Sequence, residues 1–177
     1  MISQTSGILL RPLEESLWPA LLDCLGDPET VRHTEFEPFT ASSARRLTQW
    51  ASEERRREPQ TVFAFGVCLM PGGETVGVAT LTVRDVAGRA ADIGFIISRR
   101  HWGQGHGTAA ARALLSLGFG PLGLRRISGE CDPDNPASAR VMEKNGMTRE
   151  GLLRGHRWQK GRWVNRLLYA ILDSDWS

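Results

Sequence analysis

The first part of the chain alternates between short apolar stretches and polar breaks. Residues 7–13 predict a first strand that ends at Pro12, and the apolar positions from Leu17 to Leu25 recur at helical spacing. Asp27-Pro28-Glu29 then supplies an N-cap, an N1 proline and a first-turn acid. These signals predict a strand followed by two short helices.

A further helix is predicted after Thr40, whose side chain can cap it. Its inward face would carry Ala44, Leu47 and Ala51, with Trp50 at the edge. Its end, residues 53–58, is charged all round, so we expect this end to be solvated.

The second part of the chain predicts a meander and then alternating elements. β-Branched and aromatic residues mark strands, turn residues separate them, and a helical run rich in alanine and leucine follows the third strand. The predicted strands are 61–70, 75–84, 91–98 and 125–131, the helices start near 108 and 136, and a final hairpin covers 150–173. This order predicts an α+β fold with a mixed sheet.

Length and composition indicate an ordinary globular chain. A length of 177 residues suits one domain, which we expect to span residues 1–177. The net charge of +2 indicates neither nucleic acid nor a membrane as a partner. No secretion signal is apparent, and no apolar stretch approaches the ~20 residues of a spanning helix, so we expect a cytoplasmic location.

The cysteines and histidines do not form a recognisable site pattern. Cys24, Cys68 and Cys131 are widely separated and lie in apolar runs, so buried free thiols are expected. The four histidines have no metal-ligand spacing, so no metal site is expected.

The most informative segment is Trp-Gly-Gln-Gly-His-Gly-Thr at residues 102–108, between a predicted strand and a predicted helix. Gly103, Gly105 and Gly107 permit backbone conformations and close approaches that a side chain would prevent. Backbone N–H groups here can converge on an anion at the positive end of the helix. The segment therefore predicts a pyrophosphate-binding turn.

Two common phosphate-binding motifs do not fit this turn. A dinucleotide-binding motif needs its glycines early in a βαβ unit and an acid about twenty positions later, where this chain has Arg125-Arg126. A P-loop needs Gly-Lys-Ser/Thr, which does not follow the glycines here.

The segments that follow the glycine turn indicate which protein family the chain resembles. Asp-Pro-Asp-Asn-Pro-Ala-Ser at residues 132–138 opens a helix that ends Glu-Lys-Asn-Gly at 143–146, and a hairpin-like tail follows. With the glycine turn, these segments resemble the GNAT acetyltransferases, and more narrowly their RimJ/RimL-like branch of protein N-terminal acetyltransferases. The resemblance extends over residues 9–176. It implies a single GNAT-like domain with a mixed, mostly antiparallel central sheet flanked by helices.

The same resemblance implies acetyl-CoA as the co-substrate. Backbone groups of the turn would hold the pyrophosphate, the preceding strand would pair with the pantetheine arm, and Asn135 with Ser138 would face the arm and the sulfur. The implied contacts are Phe95, Ile96, Ile97, Gly103, Gln104, Gly105, His106, Gly107, Thr108, Asn135 and Ser138.

The chain departs from the family pattern at three positions. Trp102 stands where most GNAT proteins have glutamine or arginine, and Asn165 stands where the branch usually has aspartate. Met142 occupies the place of a tyrosine that serves many GNAT proteins as the general acid, and a thioether has no proton to give. Ser138 is then the remaining hydroxyl that could act as the acid or orient a water.

Asp92 occupies the strand position where this branch usually has glutamate, so it is the candidate for binding or deprotonating the amine. Glu130 and Glu37 are alternatives. The acceptor is expected to be a protein N-terminal α-amine, attacked directly in a ternary complex with acetyl-CoA. A small amine such as an aminoglycoside or polyamine, a non-catalytic acyl-CoA sensor, and a homodimer are left open.

Overall fold

The computed structural model describes residues 2–5 and 7–176. The helices are α1 (Trp18–Leu25), α2 (Ala41–Glu54), α3 (His106–Phe119) and α4 (Pro136–Lys144). The strands are β1 (Ile2–Thr5), β2 (Ile8–Pro12), β3 (Val62–Leu69), β4 (Thr75–Asp85), β5 (Ala90–Ile97), β6 (Arg126–Cys131), β7 (Thr148–Gln159) and β8 (Arg162–Leu172).

These strands form one sheet in the order β1-β2-β3-β4-β5-β6-β8-β7. All neighbouring strands are antiparallel except β5 and β6, which are parallel. The prediction of an α+β fold with a mixed, mostly antiparallel sheet is therefore confirmed. In the part of the chain that the structure describes, no helix has the length and apolarity needed to cross a membrane.

Helices cover both faces of the sheet because successive side chains of a strand point to opposite faces. On β4 and β5, Ala79 and Ile93 pack in a cluster with α3, whereas Val78 and Ile96 pack in a second cluster with α1 and α2. The core is thus built as two apolar layers on either side of one sheet.

Three local predictions from the sequence need correction. Residues 2–5 form an additional strand, β1, and Glu54 is only 6% exposed although a solvated helix end was expected. The segment after Asp27 forms consecutive turns rather than a helix. Backbone hydrogen bonds in this segment join residues three positions apart, as in the bond from Thr30 N–H to the Asp27 carbonyl. The segment is also held by Lys160, whose Nζ donates to the Val31 carbonyl at 3.0 Å.

The capping prediction for α2 is confirmed by the structure. The Thr40 hydroxyl accepts from the Ser43 N–H and the Ser43 hydroxyl accepts from the Thr40 N–H, which closes a capping box. Ala44 and Ala51 are buried on the inward face, and Trp50 is 39% exposed at its edge.

The parallel pairing of β5 and β6 stops early and opens the sheet. β5 pairs with β6 only from Ala90 to Ile93, although β5 continues to Ile97 and β6 continues to Cys131 along β8. Residues 94–97 of β5 therefore have no partner on the β6 side. The starts of α3 and α4 both lie close to this gap, since each helix follows one of the two diverging strands.

Close contact between β4 and β5 depends on Gly77. A Cβ at this position would lie 2.2 Å from the Ile96 carbonyl oxygen and 3.0 Å from the Ile97 Cα, and neither backbone atom can move without disturbing the strand pairing. We predict that Gly77→Ala lowers the free energy of unfolding by about 1–3 kcal/mol, as overpacking does elsewhere. Urea denaturation measures this loss.

Gly72→Ala is the matched control, because a Cβ at Gly72 would meet no atom within 4 Å. We expect its unfolding midpoint to stay within error of the parent chain. Equal stability of Gly77→Ala and the parent would contradict the close approach described for β4 and β5.

Candidate active site

The glycine turn has the geometry of an anion-binding loop. Gly103 and Gly105 have φ angles of 75° and 86°, which favour glycine, and Gly105 is the N-cap of α3. A Cβ at either glycine would meet no atom within 4 Å, so the space in front of the turn is open. The first N–H groups of α3 lack intrahelical partners and carry the positive end of the helix dipole. A pyrophosphate fits these features.

Gly107 has a different role from the other two glycines. A Cβ there would lie 3.4 Å from Val141 and within 4 Å of Phe95 and Ile97. The space at Gly107 is therefore enclosed by β5 and α4, and a Cβ there would make only ordinary van der Waals contacts.

Two cavities lie beside the gap between β5 and β6. The first, about 470 Å³, is bordered by the glycine turn, the end of β5 and the start of α4. The second, about 300 Å³, extends over β5 toward α2, β6 and β8. Both cavities are lined by His33, Thr34, Phe95, Ile96, Asn135 and Ser138.

The structure brings almost all of the predicted CoA contacts to the first cavity. The lining includes Phe95, Ile96, Ile97, Gly103, Gly105, His106, Gly107, Thr108, Asn135 and Ser138. Gln104 is the exception. Its side chain donates to the Arg100 carbonyl and lies 3.3 Å from His106 Nε2.

The free edge of β5 presents backbone groups to the gap. Ser98 N–H donates to the Val76 carbonyl, so Ser98 and every second residue before it direct their backbone groups toward β4. Phe95 and Ile97 direct theirs toward the gap, where no strand pairs with them. The structure therefore offers an extended ligand a row of backbone partners.

One of these backbone groups is already hydrogen-bonded to the side chain of Trp102. Its indole Nε1 donates to the Ile97 carbonyl at 2.7 Å, and the ring lines the first cavity while remaining 47% exposed. Phe95 N–H, Phe95 C=O and Ile97 N–H remain for a ligand. The sequence marked Trp102 as a departure from the family, but it gave no signal for this bond.

Asn135 and Ser138 are held together at the start of α4. Asn135 is the N-cap, and its Oδ1 accepts from the Ser138 N–H at 3.1 Å. Within the described chain the Ser138 hydroxyl has no hydrogen-bond partner, and the residue is half-buried where the two cavities meet. It can therefore donate to a group that enters from either side.

Asp92 is placed away from both cavities. Its carboxylate accepts from Arg84 Nε at 2.7 Å and from the Ser128 hydroxyl at 2.6 Å, on the strand segment before the gap. Its role as the base stays a prediction.

The two alternative carboxylates are also differently placed. Glu130 lines the second cavity, but it contacts Arg157 at 3.0 Å and His156 at 3.2 Å, with Arg166 at 4.0 Å. Glu37 is exposed and lines neither cavity.

His33 is a site residue that sequence reasoning missed. His33 lines both cavities, and its Nδ1 lies 3.4 Å from Asp132 Oδ2. The two residues are 99 positions apart, so no local pattern could have joined them.

Two further titratable groups line the cavities. Burial, and to a smaller extent the neighbouring His101, lowers the pKa of His106 below its usual value, which favours the uncharged ring. Burial raises the pKa of the Cys131 thiol to about 11, so this residue of the second cavity is a poor nucleophile at neutral pH.

The loop over the second cavity is fixed by the β7–β8 hairpin. Gln159 Nε2 donates to the Thr34 carbonyl at 2.6 Å, and Arg166 Nη1 donates to the His33 carbonyl at 3.4 Å. Asn165 is engaged within the hairpin, where its Oδ1 accepts from Gly155 N–H at 2.8 Å. The hairpin thus shapes the cavity wall through its basic and amide side chains.

A parted sheet, a glycine turn with the geometry of an anion-binding loop, and a second cavity that meets the first are features expected of an acyl-CoA-dependent acyltransferase. The model of the acetyltransferase (GNAT) domain matches residues 8–148. The chain therefore belongs to the GNAT acetyltransferase family and is an acetyl-CoA-dependent N-acetyltransferase.

Individual relatives agree with this assignment and with the RimJ/RimL-like branch. The uncharacterised N-acetyltransferase p20 of Bacillus licheniformis is 27% identical over 98% of this chain and 97% of its own length. The ribosomal-protein-serine acetyltransferase of Escherichia coli is 32% identical over 57% of each chain.

Solved structures share the fold over nearly the full chain. RimL, a ribosomal L7/L12 alpha-N-protein acetyltransferase in complex with coenzyme A, superposes with a TM-score of 0.85 at 22% identity, covering 98% of this chain and 99% of RimL. Spermidine N-acetyltransferase from Vibrio cholerae, in complex with CoA and spermine, superposes with a TM-score of 0.82 at 22% identity, covering 97% of this chain and 98% of that enzyme.

The anion-binding role of the turn is tested by Gly105→Val. The branched side chain would strain a residue at φ 86° and fill the open space before the turn. We predict that the Kd for CoA rises by at least about tenfold, which corresponds to about 1.4 kcal/mol. Isothermal titration calorimetry provides the measurement.

Gly123→Val is the control for backbone strain. Gly123 also has a positive φ, 56°, and open space at its Cβ, but it lines neither cavity. We expect it to lose stability without losing affinity for CoA. If Gly105→Val binds CoA as tightly as the parent, the turn is not the pyrophosphate site.

Proposed function

We propose that this N-acetyltransferase acts on the α-amine of a protein N-terminus, by direct attack on acetyl-CoA in a ternary complex. The observation that carries the proposal is the meeting of two cavities at Phe95, Ile96, Asn135 and Ser138. Acetyl-CoA would extend along the first cavity, and the amine would arrive through the second. Direct attack is also supported by the raised pKa of Cys131, which disfavours an acetyl-cysteine intermediate.

The residues at the meeting point can serve acetyl transfer. Backbone N–H groups on the free edge of β5, with Phe95 at the shared wall, can donate to the thioester oxygen as negative charge develops there. The Ser138 hydroxyl, which has no partner in the described chain, can protonate the departing sulfur or orient a water that does so.

The charges of the second cavity support an α-amine over a polyamine. Glu130 is surrounded by Arg157, His156 and Arg166, and Asp132 faces His33. Glu35 is the remaining carboxylate in the lining, so a polycation would find few unpaired acids there.

The free energy of deprotonation points the same way. Neutralising an α-amine of pKa about 8 costs ~1.4 kcal/mol at pH 7, whereas an alkyl amine of pKa about 10.4 costs nearly 5 kcal/mol. A cavity whose carboxylates are mostly engaged in ion pairs therefore suits an α-amine, because its deprotonation costs less free energy.

A screen of acceptors tests the proposal directly. Peptides with free N-termini, the same peptides blocked at the N-terminus but carrying a lysine, and spermidine would be assayed with acetyl-CoA by thiol release. We predict the highest kcat/KM for free N-termini and transfer confined to the α-nitrogen, as mass spectrometry of the product would show. Preferred turnover of spermidine or lysine would reject the α-amine assignment, and no turnover of any amine would reject the catalytic one.

Ser138→Ala tests the proposed acid. Because the developing thiolate exists only near the transition state, we predict that kcat falls by up to about 10²-fold while the Kd for CoA changes little. Ser42→Ala, which removes an exposed serine from the first turn of α2, is the control and should keep parental kinetics. An unchanged kcat for Ser138→Ala would assign the proton to solvent.

A further inference from the structure

We infer that His33 accepts the proton of the attacking amine and that Asp132 positions its ring for this role. The inference rests on the proposed function, since it concerns the amine that reaches the thioester. His33 is the imidazole that borders both cavities, beside Ser138 and Asn135. Imidazole is the side chain best suited to exchange protons near neutral pH.

Asp132 defines which nitrogen of the ring is available. Its Oδ2 lies 3.4 Å from His33 Nδ1, and its Oδ1 accepts from the Asp134 N–H at 2.9 Å, which fixes the carboxylate at the end of β6. A carboxylate beside Nδ1 favours the tautomer with the hydrogen on that nitrogen. Nε2 then carries the lone pair, and it has no hydrogen bond within the described chain.

The backbone around His33 is held from the opposite side of the cavity. Lys160 Nζ donates to the Val31 carbonyl at 3.0 Å, while Arg166 and Gln159 donate to the carbonyls of His33 and Thr34. Three hydrogen bonds to one hairpin, within four residues, restrict the movement of a segment without helical structure. A catalytic group needs this kind of support to keep its geometry.

Charged groups from several elements line the two cavities with His33. Asp132 follows β6, Arg166 belongs to β8, and Glu29 and Glu35 lie on the same loop as His33. Glu130 lies on the wall of the second cavity, and Arg140 and Lys144 on the α4 side of the first. Asp132 is the group whose side chain contacts the ring.

The alternative carboxylates are less well placed for the proton. Asp92 accepts from Arg84 and Ser128 outside both cavities, and Glu130 is already in contact with Arg157 and His156. In the proposed step the α-ammonium first gives one proton to His33 Nε2, and the neutral nitrogen then bonds to the acetyl carbon. The carbon–sulfur bond breaks, and the second proton of the nitrogen reaches the sulfur through Ser138 or a water, which gives its own proton to the sulfur and takes the one from nitrogen. The imidazolium returns its proton to solvent.

The experiment compares His33→Ala, His33→Gln and Asp132→Asn with the parent, using the best acceptor from the screen. We expect kcat/KM of both His33 variants to fall on the order of 10²-fold at neutral pH, with the Kd for CoA unchanged. The loss should shrink above pH ~9, where an α-amine is already neutral. Imidazole added to His33→Ala should restore turnover in proportion to its neutral form.

Asp132→Asn separates orientation from folding. Asparagine keeps an oxygen that can accept from the Asp134 N–H, but it removes the negative charge beside the ring. We expect an intermediate loss of kcat with little change in KM for the acceptor. Arg32→Gln, an exposed change on the same loop, is the control and should retain parental rates.

Several outcomes would overturn the inference. If His33→Gln keeps the parental kcat/KM across the pH range, His33 takes no part in the reaction. If the loss of kcat/KM is the same at every pH and added imidazole does not reverse it, the role of His33 is structural. If Asp92→Asn, assayed in parallel, alone reproduces the pH-dependent loss, the proton goes to Asp92. If the parent acetylates the peptide, none of these results contradicts the proposed function. A parent without turnover rejects both.

Discussion

The separation of β5 from β6 is the constraint on which the site depends. The pairing stops at Ile93 and Gly129, and beyond it two parallel strands run on without bonding to each other. Unpaired backbone groups inside a protein are costly unless a ligand or water satisfies them. The fold therefore keeps a short stretch of β5 unsatisfied at the place where an extended ligand can complete the sheet.

β5 itself is held firmly on its other sides. Gly77 lets β4 approach two backbone atoms of β5, the Ile96 carbonyl oxygen and the Ile97 Cα. On the α3 side, the side chains of Phe95 and Ile97 lie 3.7 and 3.8 Å from the position that a Cβ of Gly107 would take. A shift of β5 that closed the gap would have to break the close backbone approach at Gly77.

Much of the fold could be predicted from the sequence because its signals are local. Periodicity located α2, α3 and the meander, and Thr40 marked a helix start that the structure confirms. The segment after Asp27 misled the prediction because its N-cap and proline suit a turn as well as a helix. Contacts from Lys160 and Gln159, distant in sequence, decide between the two.

The candidate site also has a part that local sequence signals predict and a part that they do not. The predicted CoA contacts follow one another along a short strand and two short motifs, and the structure gathers all of them but Gln104 at one cavity. The second cavity, which we propose for the acceptor, includes residues from the loop after α1, the end of β6 and the β7–β8 hairpin. No spacing rule joins His33 to Asp132, and the position of Asp92 on a strand did not reveal that Arg84 and Ser128 would engage it.

Trp102 shows how a departure from a family pattern can be accommodated by the backbone. Its indole N–H satisfies the Ile97 carbonyl, which would otherwise face the gap unpaired, and ties the glycine turn to the end of β5. The bond removes one acceptor that a bound pantetheine arm could have used. The remaining groups are Phe95 N–H, Phe95 C=O and Ile97 N–H, which face the gap. Two of these three belong to Phe95, so the backbone partners that β5 can still offer an extended ligand are concentrated at the wall where the two cavities meet.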